Sequence, residues 1–203
     1  MTTIQIFRHD ARMDNDEAER ANVDRVYDTP LSTAGLAHAE LAAKPASFVV
    51  SSPLLRCVQT ALPTLQGPLV LDARFMEVFH PKVIHGLQDF KLRTDAELPP
   101  AFYIRTAHGI PKEETRGIGG SADIRYRAAI QDYADRALRA GIKHVTIFTH
   151  GDCLGSFAAM LRKDLYSTEF GCSITATYNG TCDSYYLPPT TYNPTLEWDG
   201  KLW

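Results

Sequence analysis

Arg8-His9, Arg56 and His150-Gly151 are the residues whose types and placement suit chemistry on a phosphate group. Arginine's planar guanidinium pairs bidentately with phosphate oxygens, a fork that a lysine ammonium cannot copy. A neutral imidazole is already nucleophilic near neutral pH, where a serine hydroxyl would need a base. The N–P bond it forms is labile enough to be hydrolysed in a second step. Taken singly, each is an ordinary side chain at the end of a strand, so what matters is whether the chain delivers them to one place.

The elements that must do this are legible in the apolar pattern. Short runs rich in β-branched and aromatic residues predict strands over 3–7, 48–51, 69–71 and 145–149. Helical patterns span 32–44, with Ser32 as a plausible N-cap, 53–62, 121–140 and 151–162. Such alternation predicts an α/β fold, a three-layer sandwich with a mostly parallel central sheet and helices on both faces. Residues 173–178 and 184–187 alternate like hairpin strands around Asn179-Gly180 and belong at a sheet edge or over it. Residues 79–119 have no clear period, are rich in Pro, Gly and charge, and read as a substrate-loop insertion.

On this frame Arg8-His9 ends the first strand, Arg56 follows the second and His150 ends the fourth. Ligands of open α/β sheets bind beyond the carboxyl ends of the strands. Two arginines and two histidines on that rim would make a compact cationic pocket, and Gly151 opens a helix whose free backbone N–H groups also favour an anion.

Composition bounds the alternatives. A chain of 203 residues suits one core, so residues 1–203 are read as a single domain. With 21 Lys+Arg against 24 Asp+Glu the net charge is -3, which gives no global field to gather nucleic acid or an anionic membrane. An anion site must be built locally. The four cysteines are scattered without a Cys-x-x-Cys pair, as free thiols in a reducing compartment would be. The N-terminus runs at once into Ile4-Gln5-Ile6-Phe7 without a signal-peptide apolar region, and no stretch approaches membrane-spanning length. The expectation is a soluble, cytoplasmic protein.

Phe7-Arg8-His9-Asp10-Ala11-Arg12-Met13-Asp14 resembles the opening signature of the histidine phosphatase superfamily, which includes the phosphoglycerate mutases. Three further blocks agree, in the family's order. Asp28-Thr29-Pro30-Leu31-Ser32-Thr33-Ala34-Gly35 is similar to its Asp-x-Pro-Leu-Thr-x-x-Gly stretch, and residues 51–61 to its Ser-Ser-Pro-x-x-Arg-x-x-Gln-Thr-Ala segment. Thr149-His150-Gly151 resembles the second histidine motif. The resemblance implies His9 as nucleophile, Arg8, Arg56 and His150 as phosphate clamp, and Glu77 as proton donor that later deprotonates the attacking water. Arg12 resembles an additional arginine of a phosphatase branch whose opening reads Arg-His-Gly-x-Arg. It would touch phosphate, or else pair with Asp14 or Asp10. The implied activity is phosphomonoester hydrolysis through a phosphohistidine, with no metal and no cofactor. The implied partner is a phosphorylated small molecule or a phosphoprotein, and a homodimer stays open.

Asp10 departs from the pattern, because the family usually has Gly after the nucleophilic His. Its carboxylate either turns away, paired with Arg12 or a Lys, or faces the substrate. Three rivals follow: a phosphate-binding relative impaired by Asp10, a mutase, and a metal-dependent hydrolase with His9, Asp10, His150 and Asp152 as ligands. Adjacent arginines would repel such a metal.

Overall fold

The computed structural model describes residues 1–23, 27–78, 103–111, 114–162 and 169–180. Among them six strands form one sheet: Thr2–Arg8 (β1), Val49–Ser51 (β2), Leu69–Leu71 (β3), Tyr103–Arg105 (β4), His144–Thr149 (β5) and Ser173–Tyr178 (β6). Their order is β4-β3-β2-β5-β1-β6, with every neighbouring pair parallel except β1 with β6. Four α-helices of the described residues connect them: Thr33–Ala42 (α1), Leu55–Ala61 (α2), Ser121–Ala140 (α3) and Gly151–Met160 (α4). The expected α/β sandwich is what forms.

Period-two alternation along the strands feeds two cores. Ile4, Ile6, Val50, Val145 and Ile147 face one way, under α3 and α4 through Tyr126, Ile130, Leu154 and Phe157. Val49, Leu69, Leu71 and Phe148 face the other way, under Cys57, Val58 and Ala61 of α2. β1 is less covered on this second face, where a cavity of about 340 Å³ lies between Gln5, Phe7 and Thr146 and the end of α1.

Boundaries differ from expectation where local chemistry intervenes. α2 begins at Leu55 rather than 53, because Leu54 is extended and the Asp28 carboxylate accepts from Leu55 N at 2.7 Å. It gives way after Ala61 to a 3-10 turn containing Pro63. α4 stops at Met160, two residues early. Ser32 caps α1 as expected, its Oγ accepting from Gly35 N at 3.0 Å. β4 lies inside the insertion read as aperiodic: three residues long and largely exposed, it has no room to show a period. β6 is the first of the two expected hairpin strands, at the sheet edge. Residues 184–187 and 79–102 lie outside the described residues. No helix among the described residues is long and apolar enough to cross a membrane, and Cys57, Cys153 and Cys172 are free thiols.

Candidate active site

Register carries the rim residues together. Arg8 is level with Thr149 across the β1–β5 pair, and Ser51 with Phe148 across β2–β5, so His9, His150 and the turn into α2 leave the sheet side by side. The His9 and His150 rings meet edge-on with centroids 5.2 Å apart. Arg56, 1% exposed, pairs with Glu77, and its Nη2 lies 3.5 Å from His150 Nδ1. His150 Nδ1 is 3.9 Å from the same Glu77 carboxylate. The Arg8 guanidinium lies 4.1 Å from the centroid of the Phe170 ring, which also flanks His9 at 5.6 Å. Gly151 opens α4 immediately beside His150.

The segment carrying His9 is tied at every peptide. His9 N donates to Thr149 O, Asp10 N to Thr60 Oγ1, and Ser32 N to Ala11 O. Gly35 is required because a Cβ there would come within 2.2 Å of Ala11 O. The Asp10 carbonyl lies 2.8 Å from His9 Nδ1 and can only accept. Nδ1 therefore carries the proton and Nε2 keeps its lone pair, the arrangement a nucleophile needs.

Ser52, Gln59 and Thr60 belong to the block around Arg56, and the structure shows what they do. Ser52 Oγ sits 3.0 Å from His150 Nε2 and so turns Nδ1 toward Glu77 and Arg56. Gln59 accepts from Leu31 N at 2.7 Å, and Thr60 links Asp10 N to Arg56 O. Glu77 is held by a loop pinned from three sides. Thr149 Oγ1 donates to Phe75 O, Tyr126 OH to Met76 O, and Arg125 to the carbonyls of Arg74 and Met76.

Charge in the site rests on the arginines and on Glu77. Both imidazoles are neutral: burial first, then Arg56, holds His9 and His150 well below the ordinary histidine value, so the arginines alone supply positive charge. Glu77 is ionised. Burial pushes its carboxyl up, but Arg56 and the surrounding cations more than offset that. Arg56 Nε is buried with no hydrogen-bond partner among the described residues, a donor left for an anion.

Arg12 takes the alternative assigned to it, with Nε 3.0 Å from Asp14 Oδ1 and from Asn15 Oδ1, although its charge still acts on Glu77 and His150. Asp10 turns away from the pocket, but to His38 rather than to Arg12: its Oδ2 lies 2.5 Å from His38 Nδ1. His38 sits on α1, far along the chain, where local spacing gives no signal. Arg116, from the insertion, reaches the rim, donating to Val78 O and lying 3.6 Å from Asp152. With Asp10 and Asp152 so engaged, the ligands of the metal-dependent rival do not converge. No cluster of three His, Cys, Asp or Glu that could hold a metal occurs among the described residues.

A model of the histidine phosphatase superfamily, branch 1, matches residues 4–173. The chain belongs to this superfamily. Solved structures with the same fold include the ecdysone phosphate phosphatase of Bombix mori, determined with tungstate. It is 14% identical, with 98% of each chain covered and a TM-score of 0.57. The phosphoglycerate mutase of Bacillus anthracis is 15% identical over 93% of this chain and 92% of its own, TM-score 0.59. Bacillus stearothermophilus YhfR is 20% identical over 92% and 95%, TM-score 0.57. None of the curated proteins matches the chain. Within the superfamily both phosphatases and mutases share this architecture, so the reaction must be argued from the site itself.

Neutral buried imidazoles have a measurable consequence. Unfolded histidines titrate near 6.5 while those of the folded site titrate lower, so the unfolded chain binds more protons below that pH. Their contribution to stability is complete above about pH 6.5 and is lost as the pH falls. The thermal midpoint should therefore drop between about pH 6.5 and 5, before ordinary carboxylates titrate. A midpoint flat across that window would show that His9 and His150 are not held neutral.

Proposed function

We propose that the protein is a phosphomonoester hydrolase that transfers the phosphoryl group to His9 Nε2 and then to water, acting on a phosphorylated small molecule or a phosphoprotein. The observation that carries this reading is His9 itself: a neutral imidazole, locked with its proton on Nδ1, beside a buried arginine that has an unsatisfied donor. Arg8, Arg56 and His150 would hold the phosphate oxygens, with the first-turn N–H of Gly151 adjacent.

Glu77 explains how the acid is loaded. Its carboxylate pairs with Arg56. A phosphate dianion competes for that guanidinium, removes the cation that kept Glu77 ionised, and places negative charge beside it; both changes raise the carboxyl pKa. Substrate binding and proton uptake are thus one event. The P–O bond of the ester then breaks as the N–P bond forms, Glu77 gives its proton to the leaving oxygen, and the carboxylate left behind takes a proton from the water that attacks phosphohistidine.

Glu77→Gln should slow alkyl phosphates at least about tenfold more than p-nitrophenyl phosphate, whose phenolate departs unprotonated. Equal losses on both would remove Glu77 from the acid role. Turnover should survive EDTA unchanged, because arginine charge does the work of a metal ion. Restoration by added Mg, Mn or Zn after loss in EDTA would overturn this. The pairing of Asp10 with His38 supports turnover over an impaired phosphate binder, because it draws the carboxylate away from His9. The direct test is a panel of phosphorylated metabolites and phosphopeptides assayed with wild-type and His9→Ala protein. Hydrolysis that depends on His9 supports the proposal, and transfer to a second hydroxyl of the substrate in place of water would make the protein a mutase.

A further inference from the structure

The Asp10–His38 pair stands directly behind the nucleophile and has no part in the reaction just described. Asp10 is 3% exposed, yet four of its atoms are engaged. Its carbonyl accepts from His9 Nδ1, its N–H donates to Thr60, Oδ1 accepts from Ala11 N at 2.9 Å, and Oδ2 meets His38 Nδ1 at 2.5 Å. The turn before β6 is built around the pair. Gly171 has φ +72°, and a Cβ on it would come within 2.9 Å of His38 Cε1 and 3.0 Å of Asp10 Oδ2, while its N–H donates to His9 O at 3.2 Å. Three separate segments therefore close on this one contact: α1, the end of β1, and the turn at 169–171.

We propose that His38 is a positioning residue that holds the Asp10 carboxylate off the phosphate site and so keeps the His9 peptide in register. This rests on the phosphate-site reading of His9, Arg8 and Arg56. Leaving a buried carboxylate oxygen without a donor is costly, and His38 is the partner of Oδ2, while Oδ1 keeps the Ala11 N–H. Once His38 is removed, Oδ2 is free to turn toward the His9 Nδ1–H, which now bonds the Asp10 carbonyl, and toward the positive charge of the clamp. Rotation toward either puts a negative charge against the bound anion and competes with the carbonyl that fixes the His9 tautomer. Where Gly follows the nucleophilic His there is no carboxylate to restrain; here the chain carries the restraint on α1.

The test is binding of inorganic phosphate by calorimetry, together with kcat and KM for p-nitrophenyl phosphate, on full-length protein. His38→Ala should weaken phosphate binding about tenfold, the effect of moving an existing negative charge from about 10 Å to about 7 Å from a dianion at an effective dielectric of about 20. His38 is 36% exposed, so its truncation should be tolerated by the fold. Adding Asp10→Gly to His38→Ala should tighten phosphate binding again, since the offending charge is gone. His38→Asn, which keeps an amide donor, should bind more tightly than His38→Ala. A purely structural role for His38 would lower the thermal midpoint of His38→Ala and leave its phosphate affinity unchanged. His38→Ala with unchanged phosphate affinity, or a double variant no better than His38→Ala, overturns the proposal. Wild-type protein that binds phosphate but hydrolyses nothing would contradict the hydrolase reading while leaving this comparison intact.

Discussion

Arg56→Ala is expected to cost about 3 kcal/mol of transition-state stabilisation, a roughly 150-fold fall in kcat/KM. Arg56 is fully buried at the second residue of α2 and lies against both Glu77 and His150, with its Nε unpaired. A guanidinium so desolvated interacts strongly with an incoming dianion, and more strongly as charge builds on the transferring oxygens. Its loss also removes the cation that phosphate must take from Glu77, so the link between binding and proton uptake disappears. Arg56→Lys should recover little, because a point charge cannot reach Glu77, His150 and a phosphate oxygen from one flat fork. Steady-state kinetics of the two variants, with His9→Ala as the blank, checks this. A Lys variant near wild type would place Arg56 outside direct contact with the transferred group.

The parallel sheet was legible because strands covered on both faces read as short runs rich in β-branched and aromatic residues, as Val49-Val50 and Val145 to Phe148 do. β4 was not, since a three-residue strand with Ile104 57% exposed lacks that signature. In the site, strand ends placed Arg8, His9, Arg56 and His150 on one rim, and the register of β1 with β5 delivers them there. What escaped depends on contacts between residues distant along the chain. Phe170 over Arg8, His38 behind Asp10, and Arg125 and Tyr126 anchoring the Glu77 loop are products of packing, without local periodicity to announce them. Burial is the larger cause of the neutrality of His9, ahead of Arg56, and burial is a property of the folded rim.

The largest effect belongs to His9→Ala, which should reduce turnover to background. On the proposed mechanism its imidazole is the nucleophile, with a tautomer set by the Asp10 carbonyl, and the described rim holds no activated substitute. The Cys57 thiol beside His150 is pushed far up by burial and donates to Thr149 O, while the Ser52 hydroxyl is spent on His150. The most direct measurement is to quench the enzyme during turnover of a 32P-labelled phosphomonoester and examine the label on the protein. The account predicts one covalent phosphate, stable in base and labile in acid, located on His9 and absent from His9→Ala. Label that persists in the His9→Ala protein would contradict it.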